Sequence, residues 1–206
     1  MRVITLSRQF GSGGSEIAKR VSEELGIKYV DKSILAEAAA QSGIAKEHFE
    51  NADEKRTNSF LFSLAAAHYG GSVAPVQLSD IITDDKLFIH TAEAIRKLAG
   101  EPCIVVGRCA DDILSDRPIL RVYVYASMQS RIERIAKLYD LTEKAATTLI
   151  KKTDKKRASY YNFYTSKTWG EAQNYDLCIS SDALGIEGTA QTICAFARAC
   201  ENSKQR

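Results

Sequence analysis

An open, doubly wound α/β sheet is the fold this sequence predicts. Short apolar, β-branched runs alternate with helical stretches from end to end. A glycine-rich loop joins the first strand to the first helix. No internal repeat or low-complexity segment interrupts the alternation. A strand–loop–helix–strand start calls for a parallel sheet, because each parallel crossover needs a helix of about this length.

The first strand is read over Val3 to Leu6, ahead of a loop from Ser7 to Gly14. Glu16 to Leu25 is helical, with Ile17, Val21 and Leu25 on one face and Lys19, Arg20, Glu23 and Glu24 opposite. Gly26 stops that helix as a residue after a helix end would. Ile27 to Val30 is a second strand, closed by Asp31. Ser33 to Gln41, Lys46 to Lys55 and Ser59 to Tyr69 read as helices, with Gly70 to Pro75 a loop. Asp84 to Leu98 is a helix ended by Gly100. Strands follow at Cys103 to Val106, Leu120 to Tyr125 and Tyr175 to Ile179. Helices are expected over Gln129 to Leu138, Thr142 to about Tyr164, and Ile186 to Cys200.

Composition bounds the function. A chain of 206 residues can bury one sizeable core. The formal net charge of +2 argues against a general nucleic-acid binder. No apolar run approaches the ~20 residues of a membrane span. The five cysteines, Cys103, Cys109, Cys178, Cys194 and Cys200, form no CxxC pair and read as reduced thiols. Met1 to Thr5 passes straight into a strand pattern, so no signal peptide is expected and the expected location is cytoplasmic.

Ligands of open α/β sheets bind beyond the carboxyl ends of the strands. Three segments lie there: Ser7–Ser15, Asp31–Ser33 and Gly107–Asp112. In the first, Gly11, Ser12, Gly13, Gly14, Ser15 and Glu16 offer backbone amides at a helix start, which is an anion cradle. The phosphate-loop pattern is G-x-x-x-x-G-K-[ST]. Here Gly13, Gly14 and Ser15 stand in its last three places, so Gly14 replaces the lysine and Arg8 replaces the first glycine. Ser15 keeps the hydroxyl that would touch Mg²⁺. The missing positive charge would come from Arg8 or from Lys19. The fold expected is therefore that of the P-loop NTPases: three layers, α/β/α, around a five-stranded parallel sheet.

These residues carry a family resemblance. Ile4 to Ala18, then Tyr29-Val30-Asp31-Lys32, then Val105-Val106-Gly107-Arg108 resemble the cytidylate-kinase-like proteins, a divergent branch of the P-loop nucleoside monophosphate kinases. The similarity extends to Tyr123 to Ala126 with Arg131 and Arg134, and to Lys152 to Arg157. It implies one kinase domain over 1–206, with a helical acceptor-binding insert at about 44–84 and a lid at about 140–172. It implies ATP and Mg²⁺, with Ser15 on the metal and the glycine loop on the donor phosphates. Arg108 would bind the acceptor nucleotide. Lys152, Asp154 and Arg157 would belong to a lid that closes over both phosphoryl groups, with Asp154 orienting the cations. Where the family carries an aspartate that reads cytosine, this chain has Cys109, with Asp111 and Asp112 nearby.

Residue by residue, alternatives stay open. Asp31 holds a metal water or the acceptor, or else caps the next helix. Arg131 stacks on the donor base or reaches its phosphates, or else pairs with Glu133 at the surface. Tyr160, Tyr161, Phe163, Tyr164 and Trp169 serve hinge packing or an interface rather than base stacking. The expected activity is ATP-dependent phosphoryl transfer to a nucleoside monophosphate or related small acceptor. The alternatives are a nucleotide-binding protein without turnover and a kinase of another small metabolite. The expected partner is a small nucleotide substrate, with no nucleic acid and no membrane. Exposed aromatics near the lid permit a homodimer without requiring one.

Overall fold

The computed structural model describes residues 3–35 and 78–203. The helices expected over Lys46 to Lys55 and Ser59 to Tyr69, the Gly70 to Pro75 loop and most of the insert at 44–84 lie outside the described residues.

Five strands form one sheet: β1 (Val3–Arg8), β2 (Lys28–Val30), β3 (Cys103–Val106), β4 (Leu120–Tyr125) and β5 (Leu177–Ser180). Their spatial order is β2-β3-β1-β4-β5, and every pairing is parallel. The helices are α1 (Gly14–Leu25), α2 (Leu78–Leu98), α3 (Ala110–Ile113), α4 (Met128–Tyr139), α5 (Glu143–Thr165) and α6 (Ser181–Ser203).

Alternation along the strands divides the core into two layers. Val3, Val30, Cys103 and Val105 face α2, α3 and Tyr161 of α5. Ile4, Leu6, Ile104, Val106, Val122 and Val124 face Ile17 and Val21 of α1 and Ala190, Ile193 and Cys194 of α6. These strands read as nearly continuous apolar runs because both faces are covered. A third cluster joins Ile135 of α4 to Ala146 and Ile150 of α5, with Phe10 of the glycine loop packed on it.

Most element ends fall within a residue or two of the sequence reading, and the differences have physical causes. Strand β1 runs on to Arg8, because Ser7 and Arg8 keep their register with Tyr123 and Val124 of β4. The loop therefore starts at Gln9, whose amide donates to the Val124 carbonyl at 3.0 Å. Helix α6 begins at Ser181, ahead of the expected Ile186, and breaks at Gly185, where φ is 63°. Thr142 and Ser127 cap α5 and α4 by accepting from the amides of Ala145 and Ser130. Gly26 ends α1 at φ 62°, a left-handed value glycine takes without steric cost.

Ile193 lies fully buried between α6 and the sheet. Ile193→Ala should cost about 2–5 kcal/mol of stability, the usual range for truncating such a side chain. Urea unfolding monitored by circular dichroism measures it.

Candidate active site

The parallel register brings the ends of β1, β3 and β2 to one edge of the sheet. The glycine loop, Gly107-Arg108 and Asp31 thus share that edge.

The loop is held by a small set of polar contacts. The Ser12 amide and hydroxyl both donate to the Gln9 carbonyl, at 3.3 and 2.9 Å. The Gln9 side chain accepts from the Ala126 amide at 3.1 Å. Ser181, buried at the start of α6, donates its hydroxyl to the Ser12 carbonyl at 2.8 Å. Gly11 and Gly13 adopt φ of 84° and 77°. The first bond within α1 runs from the Ile17 amide to the Gly13 carbonyl. The amides of Gly14, Ser15 and Glu16 precede that bond and point out of the helix end. Ser15 and Glu16 are exposed there.

Asp154 fixes the other side of the loop. Its carboxylate accepts from the Phe10 amide at 2.8 Å and pairs with the Arg131 guanidinium. Arg131 also donates to the Phe10 carbonyl at 3.3 Å and is 5% exposed. Among the described contacts, Arg131 is thus committed to the loop backbone and Asp154. Glu133, the surface partner considered for it, receives Gln129 instead. Arg157, one turn beyond Asp154, donates to the Arg8 carbonyl at 3.0 Å and lies over the Phe10 ring. Lys152 is exposed on another face of α5, and Lys19 is exposed on α1. Arg134 was not singled out as a site residue from the sequence. Its guanidinium lies 3.3 Å from the place a Cβ on Gly13 would take. The signals for it were the family resemblance, which takes in Arg131 and Arg134 together, and the spacing of three residues, which puts both on one side of α4.

Arg8 crosses the strand ends. A Cβ built on Gly14 would lie 2.6 Å from the Arg8 Cβ, so the side chain leaves the strand directly beneath the loop. A Cβ on Gly107 would lie 2.3 Å from Arg8 Nη1. The positive charge is felt further on by Tyr29. Burial pushes that phenol up, the hydrogen-bonded Asp31 carboxylate adds to the rise, and Arg8 opposes it. Asp31 accepts from the Ser33 amide and hydroxyl, at 2.9 and 2.6 Å, and from the Ile34 amide at 3.2 Å. It therefore caps the turn at 32–35. Burial alone would raise its carboxyl, but these hydrogen bonds outweigh burial and hold it low.

At the end of β3, Gly107, Arg108 and Cys109 all have positive φ, at 76°, 58° and 56°. Such values are costly for the two non-glycine residues and mark a backbone over-determined by its surroundings. Arg108 is turned toward Tyr160 of α5, 5.7 Å from the ring centroid. Tyr160 belongs to a packed aromatic group with Tyr164 and Phe88, the last two stacked at 3.9 Å. The Cys109 thiol is buried in the core, which pushes its pKa up. Asp111, expected near a substrate, lies 5% exposed and accepts from the Tyr161 hydroxyl at 2.6 Å. Burial raises its carboxyl, and the Tyr161 hydrogen bond only partly offsets the rise.

A glycine cradle at a strand-to-helix junction, ringed by arginines at the carboxyl edge of a five-stranded parallel sheet, defines a P-loop phosphotransferase. The family model for cytidylate kinase-like proteins matches residues 3–183, and the chain belongs to that family. It is similar to the cytidylate kinase of Archaeoglobus fulgidus, at 26% identity over 195 residues, covering 92% of this chain and 91% of that one. An uncharacterized protein from Eubacterium ventriosum, known as a crystal structure, superposes with a TM-score of 0.72 at 28% identity, covering 96% and 98% of the two chains. A gluconokinase from Sinorhizobium meliloti shares the fold, with a TM-score of 0.53 at 15% identity over 98% of this chain and 95% of that one. The chain is thus an enzyme of the nucleotide-kinase class. No helix among the described residues is long and apolar enough to cross a membrane.

Two outcomes follow from the buried acids. Arg131→Ala strips Asp154 of its cation in a largely buried setting and should cost about 3 kcal/mol, the low end for breaking such a pair; thermal and urea unfolding read this. Asp111 binds its proton more tightly folded than unfolded. Its contribution is complete below the ordinary carboxyl value of 3.8 and is lost as pH rises through the higher folded value. Asp111→Asn keeps an uncharged side chain in its place. Its stability relative to the parent should therefore improve from about pH 4 toward about pH 7, as paired urea titrations would show.

Proposed function

We propose that the enzyme transfers the γ-phosphoryl group of ATP to a nucleoside monophosphate or a closely related phosphorylated acceptor. The observation that carries this reading is the shared edge. The glycine cradle at the end of β1 stands one strand away from the strained Gly107-Arg108-Cys109 turn at the end of β3. That spacing suits a donor phosphate in the first and an acceptor phosphate held by Arg108 in the second.

The residues present fit Mg²⁺ as a phosphate-borne ion. No group of three or more His, Cys, Asp or Glu among the described residues could hold a metal alone. Ser15 is exposed on the first turn of α1 and offers one hydroxyl. Magnesium commonly takes few protein ligands and the rest from substrate phosphates and water. When bound, the ion neutralises charge on the donor phosphates. The amides of Gly13 to Glu16 would hold the donor. Arg157 and Arg134 would supply positive charge beside the transferring group, with Asp154 and Arg131 keeping the loop in place. Alignment and charge are the two things phosphoryl transfer asks of a protein. Lys19 and Lys152 lie on exposed faces and would act at longer range.

The acceptor base is less constrained. Where the family resemblance places a cytosine-reading aspartate, the Cys109 side chain turns into the core. Reading of the base would then fall to other groups, and the enzyme should discriminate weakly among pyrimidine acceptors.

Assay of ADP release with Mg²⁺ and ATP across the nucleoside monophosphates tests the reading. Turnover with at least one acceptor is expected. Arg108→Ala should raise the acceptor KM by about tenfold or more with little change in the KM for ATP. Binding of ATP with no turnover on any monophosphate would overturn it.

A further inference from the structure

The chain places an arginine where the phosphate-loop pattern has its first glycine, and a glycine where the pattern has its lysine. The structure links the two departures. A Cβ on Gly14 would come within 2.6 Å of the Arg8 Cβ and 2.8 Å of its Cγ. Those atoms sit next to the β1 backbone, which is held by its register with β4, so they have little room to give. Any side chain at position 14 is therefore shut out by the one at position 8. The next neighbour of that Cβ is Leu6 Cδ2 at 3.4 Å, an ordinary contact. Position 14 has no left-handed backbone, unlike Gly11 and Gly13. Removal of the Arg8 side chain alone would thus make room for a lysine at 14.

The far end of Arg8 points the same way. Its Nη1 lies 2.3 Å from where a Cβ on Gly107 would be, so Gly107 leaves it a passage over the end of β3. Its charge is felt by the Tyr29 phenol at the end of β2.

We propose that Arg8 and Gly14 are an exchanged pair. Arg8 supplies, from the end of β1, the phosphate-binding cation that the common loop supplies from the start of α1. The loop glycine at 14 exists to let Arg8 pass. This rests on the phosphoryl-transfer reading above. It also distinguishes Arg8 from Lys19, because only Arg8 lies under the loop. A guanidinium delivered this way would reach the phosphates from the end of β3, beside Gly107, whereas a lysine on α1 would reach the donor from the helix side. Arg8 would then touch the transferring group rather than only the donor.

The test is a swap read by binding of Mg²⁺-ATP and of inorganic tripolyphosphate, with thermal melting as the control for folding. Arg8→Gly should weaken both ligands by about tenfold or more. Gly14→Lys alone should melt well below the parent and bind neither ligand better than Arg8→Gly. The double variant, R8G with G14K, recreates G-x-x-x-x-G-K-S at positions 8–15 and should melt near the parent. It should bind both ligands within about fivefold of the parent. The proposal is overturned if Arg8→Gly binds tripolyphosphate as the parent does. It is equally overturned if the double variant melts near the parent yet binds no better than Arg8→Gly, or if Gly14→Lys alone melts and binds like the parent. A parent protein that binds neither ligand would sink the phosphate reading itself, a result separable from these because it appears before any substitution.

Discussion

The Asp154 carboxylate is the contact on which the site's shape depends. A single side chain on α5 accepts from the Phe10 amide in the loop and from the Arg131 guanidinium on α4. Without it, the part-buried Phe10 amide would lose its acceptor, and the buried Arg131 charge would keep only the Phe10 carbonyl and the Met128 sulfur. Either is expensive away from water. The pair therefore ties loop, α4 and α5 into one unit. Phe10 reinforces the tie by packing on the Ile135, Ala146 and Ile150 cluster, with Arg157 over its ring.

That tie alters how the region from about 140 to 172 can work. A helix hinged freely over the site would need a polar, lightly packed underside. α5 has Ala146, Ile150 and Tyr161 buried along the side that also carries Asp154 and Arg157. Its chain continues through Trp169, whose indole donates to the Ser7 hydroxyl of β1 at 3.0 Å. Gly170 passes so close to Tyr123 that a Cβ there would meet its hydroxyl at 2.8 Å. The basic outer face, with Lys151, Lys152 and Lys155, stays in solvent. Cations on the inner side of α5 are thus preset against the loop, which lowers the reorganisation that charge stabilisation would otherwise require.

Much of this was legible in the sequence. Apolar runs and glycine stops placed the sheet and its helices, because periodicity and chain termination are local properties. The loop was legible for the same reason. Three features were not. β1 reaches Arg8 because of hydrogen bonding to β4, more than a hundred residues away, and Ser7-Arg8 carries no apolar signal of its own. Arg131 sits on an amphipathic helix where arginine ordinarily faces water. Asp154, 23 residues later, supplies the opposite charge that makes its burial tolerable, with the Phe10 carbonyl as a second acceptor. Asp111 follows a strand end where a ligand-binding acid is expected, yet the left-handed turn at Arg108 and Cys109 carries it inward to Tyr161.

The same reasoning explains why the loop's departures from the common pattern are mutually dependent. Arg8 needs a glycine at 14 to leave the strand, and Gly107 gives its guanidinium a passage at the end of β3. Gly107 serves twice, because φ there is 76° and the next two residues continue the left-handed turn that presents Arg108. One turn of backbone therefore sets the position of both arginines. A side chain at Gly107 would press on the flexible end of Arg8 and strain the turn under Arg108 together. On the proposed reading, the donor and acceptor halves of the site would thereby share one piece of local geometry at the end of β3.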